Sequence, residues 1–150
     1  MLSQLFGTWD GYQVRRNQDG TWASDTTHSE WRWYAILDGH GIQDDWIKLE
    51  TADNPGQLPQ VVGTNIRIYN ATEDQWHMAW IDKTNRTLAS FTAKNVNDTV
   101  IMSGKNATGR QVRITFFNFA RDAFDWKQEW TFDGGESWVI VTKMHCTRTQ

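Results

Sequence analysis

Apolar and polar positions alternate most clearly close to the C-terminus. Trp126, Gln128, Trp130 and Phe132 alternate with charged or hydroxyl side chains, which is the period of two expected of a half-buried β-strand. The Asp-Gly-Gly sequence that follows is typical of a tight turn, because glycine tolerates a positive φ. A second strand returns from Ser137, so this stretch predicts a long β-hairpin.

The same design recurs along most of the chain and predicts about ten strands with short turns. The predicted strands cover residues 7–16, 29–37, 42–50, 64–69, 75–82, 87–94, 99–105 and 110–117, together with the two strands of the C-terminal hairpin. Regular spacing with short turns indicates an antiparallel sandwich or barrel, and the gaps are too short for crossover helices. Consecutive hairpins favour a meander, and a meander this wide is expected to curl and close.

The predicted fold class is therefore all-β, a closed antiparallel up-and-down β-barrel of about 8–10 strands with an internal cavity. Residues 1–6 predict a short helix. Residues 51–63 hold both prolines and predict the one long irregular segment, a kind of loop that is often functional.

Composition limits the classes of function. A chain of 150 residues predicts one domain, residues 1–150. The net charge of -3, with both signs interspersed, argues against a nucleic-acid partner. Cys146 is the only cysteine, which excludes an intramolecular disulfide and a thiolate metal cluster. The N-terminus lacks a secretory signal pattern, and no apolar run is long enough to span a membrane, so we expect no membrane association and a cytoplasmic location.

Ten tryptophans are an unusually large number, and many of them share strand faces. A barrel of eight or more strands has room for one small ligand, for which indoles would offer apolar area and an orienting N–H. Gln128 shares a face with two tryptophans, and Asp44 shares a face with Ile42 and Trp46. The candidate ligand-binding residues are Trp31, Trp33, Asp44, Trp46, Trp76, Met78, Trp80, Trp126, Gln128 and Trp130. The alternative is that the rings simply fill the barrel.

Signals for catalysis and for a metal site are weak. The four histidines show no paired ligand spacing, so no protein-only metal site is predicted. The sequence contains no nucleophile elbow, phosphate-binding loop or Ser/His/Asp set. Asp44 and Asp45 are adjacent, so on a strand they face opposite ways and cannot act as a carboxylate pair. No catalytic residue is therefore assigned, and a non-enzymatic protein is favoured.

Three segments carry a resemblance to a known group of proteins. They are GTWDG near the start, WRWYAILDGHGIQDDWI, and the late DGGESW turn. The first resembles the Gly-x-Trp start of calycin barrels, the group of lipocalins and fatty-acid-binding proteins. The second and third are similar to lipocalin-like bacterial domains of the DUF1579 type, which are mostly uncharacterised. The resemblance implies a closed barrel of eight to ten strands around a cavity, with Trp9 packed at its closed end.

The resemblance also bears on His145, which lies near the end of the predicted last strand. Nitrobindin-like barrels of the wider calycin group bind haem through a histidine on the last strand, so the resemblance implies haem as a cofactor held by His145. An exposed histidine at the edge of the strand is the plainer interpretation. No other cofactor is expected.

Four hypotheses about function remain open at this point. The first is a non-enzymatic protein that binds a small, largely apolar or aromatic molecule inside a tryptophan-lined barrel. The second is a haem protein that uses His145, and the third is an enzyme of small molecules that uses a cavity carboxylate such as Asp44. The fourth is a pairing module that forms a homodimer.

Overall fold

Ten antiparallel strands form a closed barrel in the computed structural model, which describes residues 2–50 and 55–149. The strands are β1 Gly7–Arg15, β2 Thr27–Ile36, β3 Gly41–Lys48, β4 Gln60–Asn70, β5 Gln75–Asp82, β6 Thr87–Val96, β7 Thr99–Lys105, β8 Gln111–Phe117, β9 Ala123–Trp130 and β10 Val139–Arg148. Each strand pairs with its neighbours in sequence, and β1 pairs with β10 to close the barrel. The predicted all-β, up-and-down barrel is confirmed.

Most predicted strand bounds lie within a few residues of the observed ones, and β5 and β7 have the predicted bounds. The main difference is β4, which begins at Gln60, so the end of the predicted loop 51–63 is strand; residues 51–54 lie outside the described part of the chain. Phe132 was expected on the inner face of β9. It lies beyond the end of that strand and is 64% exposed. The chain turns earlier because the Thr131 hydroxyl accepts a hydrogen bond from the Gly135 N–H at 2.7 Å.

One end of the barrel is closed by the N-terminal segment. A 3-10 helix, Leu2–Leu5, precedes β1 and buries both of its leucines. The Trp9 Nε1–H donates to the Leu5 carbonyl at 2.7 Å. The Arg148 guanidinium lies over the Trp9 ring, with Cζ 4.1 Å from the centroid, and donates to the Phe6 carbonyl at 2.7 Å. These contacts join the first and last strands, and they place Trp9 where the resemblance implied.

The strand directions follow from this closure. Because the 3-10 helix precedes β1 and the barrel is up-and-down, every odd-numbered strand starts at the closed end and finishes at the opposite end, here called the mouth. Apart from this helix, the described helical residues form the short 3-10 turn Leu37–Gly39. No helix within residues 2–50 and 55–149 is long and apolar enough to cross a membrane.

Replacing Arg148 with methionine tests the closure. Arg148 also donates to the Gln4 carbonyl at 2.8 Å, so Arg148→Met removes several charge-assisted hydrogen bonds. We expect the free energy of unfolding to fall by about 1–3 kcal/mol in a urea titration. Arg121→Met is the matched control, because the Arg121 side chain is 94% exposed. Equal effects of the two substitutions would contradict this account of the closed end.

Candidate functional site

The strand register places all ten candidate ligand-binding side chains on the inner face of the barrel. Trp31 lies opposite Trp46, Trp33 opposite Asp44, and Trp126 opposite Met144, and the remaining candidates continue the same alternation. The ten candidates are Trp31, Trp33, Asp44, Trp46, Trp76, Met78, Trp80, Trp126, Gln128 and Trp130. Whether they contact a ligand stays a prediction, but their shared face allows it.

Part of this set packs as a core. Trp31 is almost completely buried, and its ring centroid lies 5.1 Å from Trp33, 5.7 Å from Phe116, 6.1 Å from Phe124 and 6.5 Å from Trp126. We call these five side chains the deep aromatic layer. Their mutual contacts mean that Trp31 and Trp33 fill the interior, as the alternative interpretation of the tryptophans had it.

A second group lies at the mouth and has a different environment. Trp46, Trp80 and Trp130 lie near the ends of β3, β5 and β9. Gln128 precedes Trp130 by two residues on β9, so it lies on the same face, further from the mouth. All four point inward, and all four are only partly buried. In the described part of the chain, no ring–ring contact joins Trp46 or Trp80 to another aromatic ring. We call these four side chains the mouth residues.

Trp76 does not belong to the mouth. It begins β5, next to the β4–β5 hairpin, and its ring packs 5.3 Å from the Tyr69 ring. Four residues of extended strand separate it from Trp80, which is about 13 Å along the barrel wall. The predicted set is therefore divided between the two ends of the barrel.

A glycine allows the Trp80 indole to lie against the wall. Gly63 on β4 pairs with Trp46 on one side and with Asp82 on the other. A Cβ at position 63 would lie 2.4 Å from Cη2 of Trp80 and 2.6 Å from the Ile81 carbonyl oxygen. Any side chain at position 63 would collide with the indole and with the backbone, so the position of Trp80 against β4 requires a glycine here.

Below the mouth lies a buried polar cluster centred on Asp44. This carboxylate is fully buried, and its Oδ1 accepts hydrogen bonds from Trp31 Nε1 at 2.5 Å and from Asn65 Nδ2 at 3.2 Å. Its Oδ2 accepts a hydrogen bond from Nη1 of Arg67, which is 1% exposed. Asp44 and Arg67 thus form a buried ion pair inside the barrel.

Arg67 is only partly satisfied by this pair. Its Nε and Nη2 atoms are buried and have no hydrogen-bond partner among the described residues, and the same holds for Trp33 Nε1. The guanidinium stacks on Trp33, with Cζ 4.3 Å from the ring centroid. Burial lowers the pKa of Arg67 below its usual value, and the neighbouring Asp44 carboxylate opposes that effect. The interior therefore holds N–H donors that lack acceptors.

The sequence did not identify Arg67 or Asn65 as site residues. They alternate with Ile66 and Ile68, and the usual inference is that the isoleucines point inward and the polar residues outward. In the structure Asn65 and Arg67 are buried, whereas Ile66 and Ile68 are exposed. The available signal was Asp44, because a carboxylate on an apolar face requires a partner.

Asp45 faces the opposite way from Asp44, as the alternation predicted. Its carboxylate accepts a hydrogen bond from the Tyr34 hydroxyl at 2.9 Å on the outer surface. Desolvation by burial, together with Asp45, raises the pKa of Tyr34 to about 12.

His145 lies outside the barrel. Its Nδ1 is 2.7 Å from Oδ1 of Asp125, and it stands opposite Tyr12 on the neighbouring strand, in a shallow groove of the outer surface. It is therefore not part of the interior site, and its role as a haem ligand stays a prediction. Among the residues that the structure describes, no three His, Cys, Asp or Glu side chains are grouped to hold a metal ion.

Comparisons with known proteins give structural likeness alone. No family model matches the sequence, and no curated protein matches it either. The S-type phycobiliprotein lyase CPES from Guillardia theta superimposes with a TM-score of 0.66 at 9% identity, covering 99% of this chain and 90% of the lyase. Rv2717c from M. tuberculosis gives a TM-score of 0.64 at 10% identity, covering 99% of this chain and 95% of that one. The fold is calycin-like. At these identities the likeness concerns the fold and assigns no activity.

Substitution of Asp44 tests the buried pair. Asp44→Asn leaves the Arg67 charge buried without its counter-ion, so we expect the free energy of unfolding to fall by about 3–5 kcal/mol in urea. Asp45→Asn is the matched control on the outer surface and should cost less than about 1 kcal/mol.

The double variant Asp44→Asn/Arg67→Met removes both charges together. Because removal of a whole buried pair is often close to neutral, it should be more stable than Asp44→Asn alone. A double variant less stable than the single one would contradict the assignment of a coupled pair.

Proposed function

We propose that this protein binds a small, largely apolar or aromatic molecule inside the barrel and admits it through the mouth. The observation that carries the proposal is the partial exposure of inward-facing indoles at one end. Trp46, Trp80 and Trp130 point into the barrel yet are only partly buried, whereas Trp31, Trp33, Phe116 and Phe124 of the deep aromatic layer are buried. An apolar surface that faces an opening offers a guest a favourable environment, because its binding removes apolar area from water.

The polar groups near the mouth support one orientation of the guest. The Gln128 amide makes no hydrogen bond to another residue in the described part of the chain, although it lies directly below Trp130. Trp130 Nε1 is buried and also lacks a partner there. A few polar groups on an otherwise apolar wall are what fix the orientation of a small ligand. The likeness to a phycobiliprotein lyase concerns the fold, so the proposal depends on these side chains.

The other hypotheses have less support. Both carboxylate oxygens of Asp44 already accept hydrogen bonds, from Trp31, Asn65 and Arg67, so the carboxylate is engaged within the barrel wall and poorly placed to exchange a proton with a substrate. His145 lies on the outer surface, so a haem held by its side chain would lie outside the barrel. The DUF1579-type relationship, the homodimer and the cytoplasmic location stay predictions.

Binding of a neutral fluorescent dye tests the proposal. N-phenyl-1-naphthylamine, whose emission rises in apolar surroundings, should bind in a saturable manner to one site per chain. Trp80→Ala and Trp130→Ala should each raise its Kd about tenfold, which corresponds to about 1.4 kcal/mol of lost apolar contact.

Trp22→Ala is the control for that experiment. Trp22 contacts Lys143 on the outer surface, with Nζ 4.3 Å from the ring centroid, so this variant should bind the dye as the unmodified protein does. Unsaturable binding, or an unchanged Kd in both mouth variants, would refute the proposed site.

A further inference from the structure

The unpartnered edge of the Arg67 guanidinium points to the chemistry of the ligand. Asp44 occupies Nη1, while Nε and Nη2 are buried and have no partner among the described residues. In a guanidinium the Nε–H and the nearer Nη2–H are parallel and lie in one plane, a fork that matches two coplanar oxygens. The Arg67 guanidinium lies over the Trp33 ring, with Cζ 4.3 Å from the centroid, so the ring covers one side of this fork.

The immediate surroundings contain donors in excess of acceptors. Both Asp44 oxygens already accept hydrogen bonds, and the nearby Asn65 directs its Nδ2 at the same carboxylate. Trp33 Nε1 adds a third buried donor without an acceptor. Unsatisfied buried donors cost free energy, so an acceptor that enters from the mouth would be bound selectively.

Arg67 lies within reach of a small ligand that contacts the mouth residues. Trp80 stands opposite Asn65, and Arg67 follows two residues later on β4, toward the closed end. Two residues of strand correspond to about 7 Å. A molecule whose rings lie between the mouth indoles could therefore place a terminal group at Arg67.

We propose that the bound molecule is an aromatic or apolar acid whose carboxylate is received by Nε and Nη2 of Arg67. This inference rests on the proposed function, since the ligand must first enter the barrel. It adds that the ligand carries a negative charge, which can be tested separately from the binding of a neutral dye. Asp44 already neutralises Arg67, so the acid brings a net negative charge inside, and Asp44 limits its affinity.

Displacement of N-phenyl-1-naphthylamine by two probes of nearly the same shape tests the inference. The probes are 2-naphthoate and naphthalene-2-carboxamide at neutral pH, where the first is an anion and the second is uncharged. We expect 2-naphthoate to compete at least about tenfold more tightly, because the amide replaces one acceptor oxygen with an NH2 group that cannot accept from the fork.

Three variants separate the Arg67 fork from general charge attraction. Asp44→Asn/Arg67→Met should abolish the preference for the acid, because the acid should lose more affinity than the amide, which uses only one acceptor oxygen at the fork. Asp44→Asn alone should increase the preference, which a merely structural role of the pair would not do. Arg32→Met removes a positive charge from the outer surface, where Arg32 is 57% exposed, and should leave the preference unchanged.

The outcomes are distinct from those for the proposed function. If the dye does not bind, the interior site itself is refuted. If the dye binds but both probes compete equally, the interior site stands and the carboxylate assignment is overturned. If Asp44→Asn does not fold, the double variant decides: an undiminished preference for the acid in that variant would overturn the inference.

Discussion

The ion pair between Asp44 and Arg67 is the constraint on which the inner wall of this barrel depends. Both side chains are almost completely buried, and an unpaired charge at either position would be costly. The pair joins β3 to β4, so a slip of one residue would move Arg67 to the outer face and leave Asp44 without its counter-ion. It also holds Trp31 through the carboxylate and Trp33 through the guanidinium. The deep aromatic layer is therefore organised around a charged centre as well as by apolar packing.

This constraint explains why β4 departs from the usual pattern. Its polar residues Asn65 and Arg67 face inward, and its isoleucines face out, because the requirement of Asp44 for a partner outweighs the burial of two aliphatic side chains. The displaced Ile66 and Ile68 lie on the outer surface, in a groove that is also lined by Ile81 of β5 and Leu88 of β6.

Prediction from the sequence succeeded where local signals agreed and failed where a distant residue decided. The bounds of β5 and β7 were found because alternation and turn residues marked both ends. The position of Phe132 was wrong because its period of two continues past a turn that the Thr131 hydroxyl stabilises. Arg67 was missed because its partner lies 23 residues away, and no local pattern contains that pairing. The alternation predicted that the tryptophans of each strand share a face, and the structure shows that this face points inward.

The division of the interior into two environments bears on how a ligand could be recognised. Indoles at the mouth provide apolar area, which contributes to affinity but discriminates poorly between molecules of similar size. The N–H donors of Arg67 and Trp33 contribute to selectivity more than to affinity. A guest without acceptor oxygens leaves these donors unsatisfied, whereas a guest that supplies such oxygens is favoured. Selectivity in this barrel is thus expected to come from the charged centre that also fixes its strand register, so a substitution that alters recognition at Arg67 will affect stability as well.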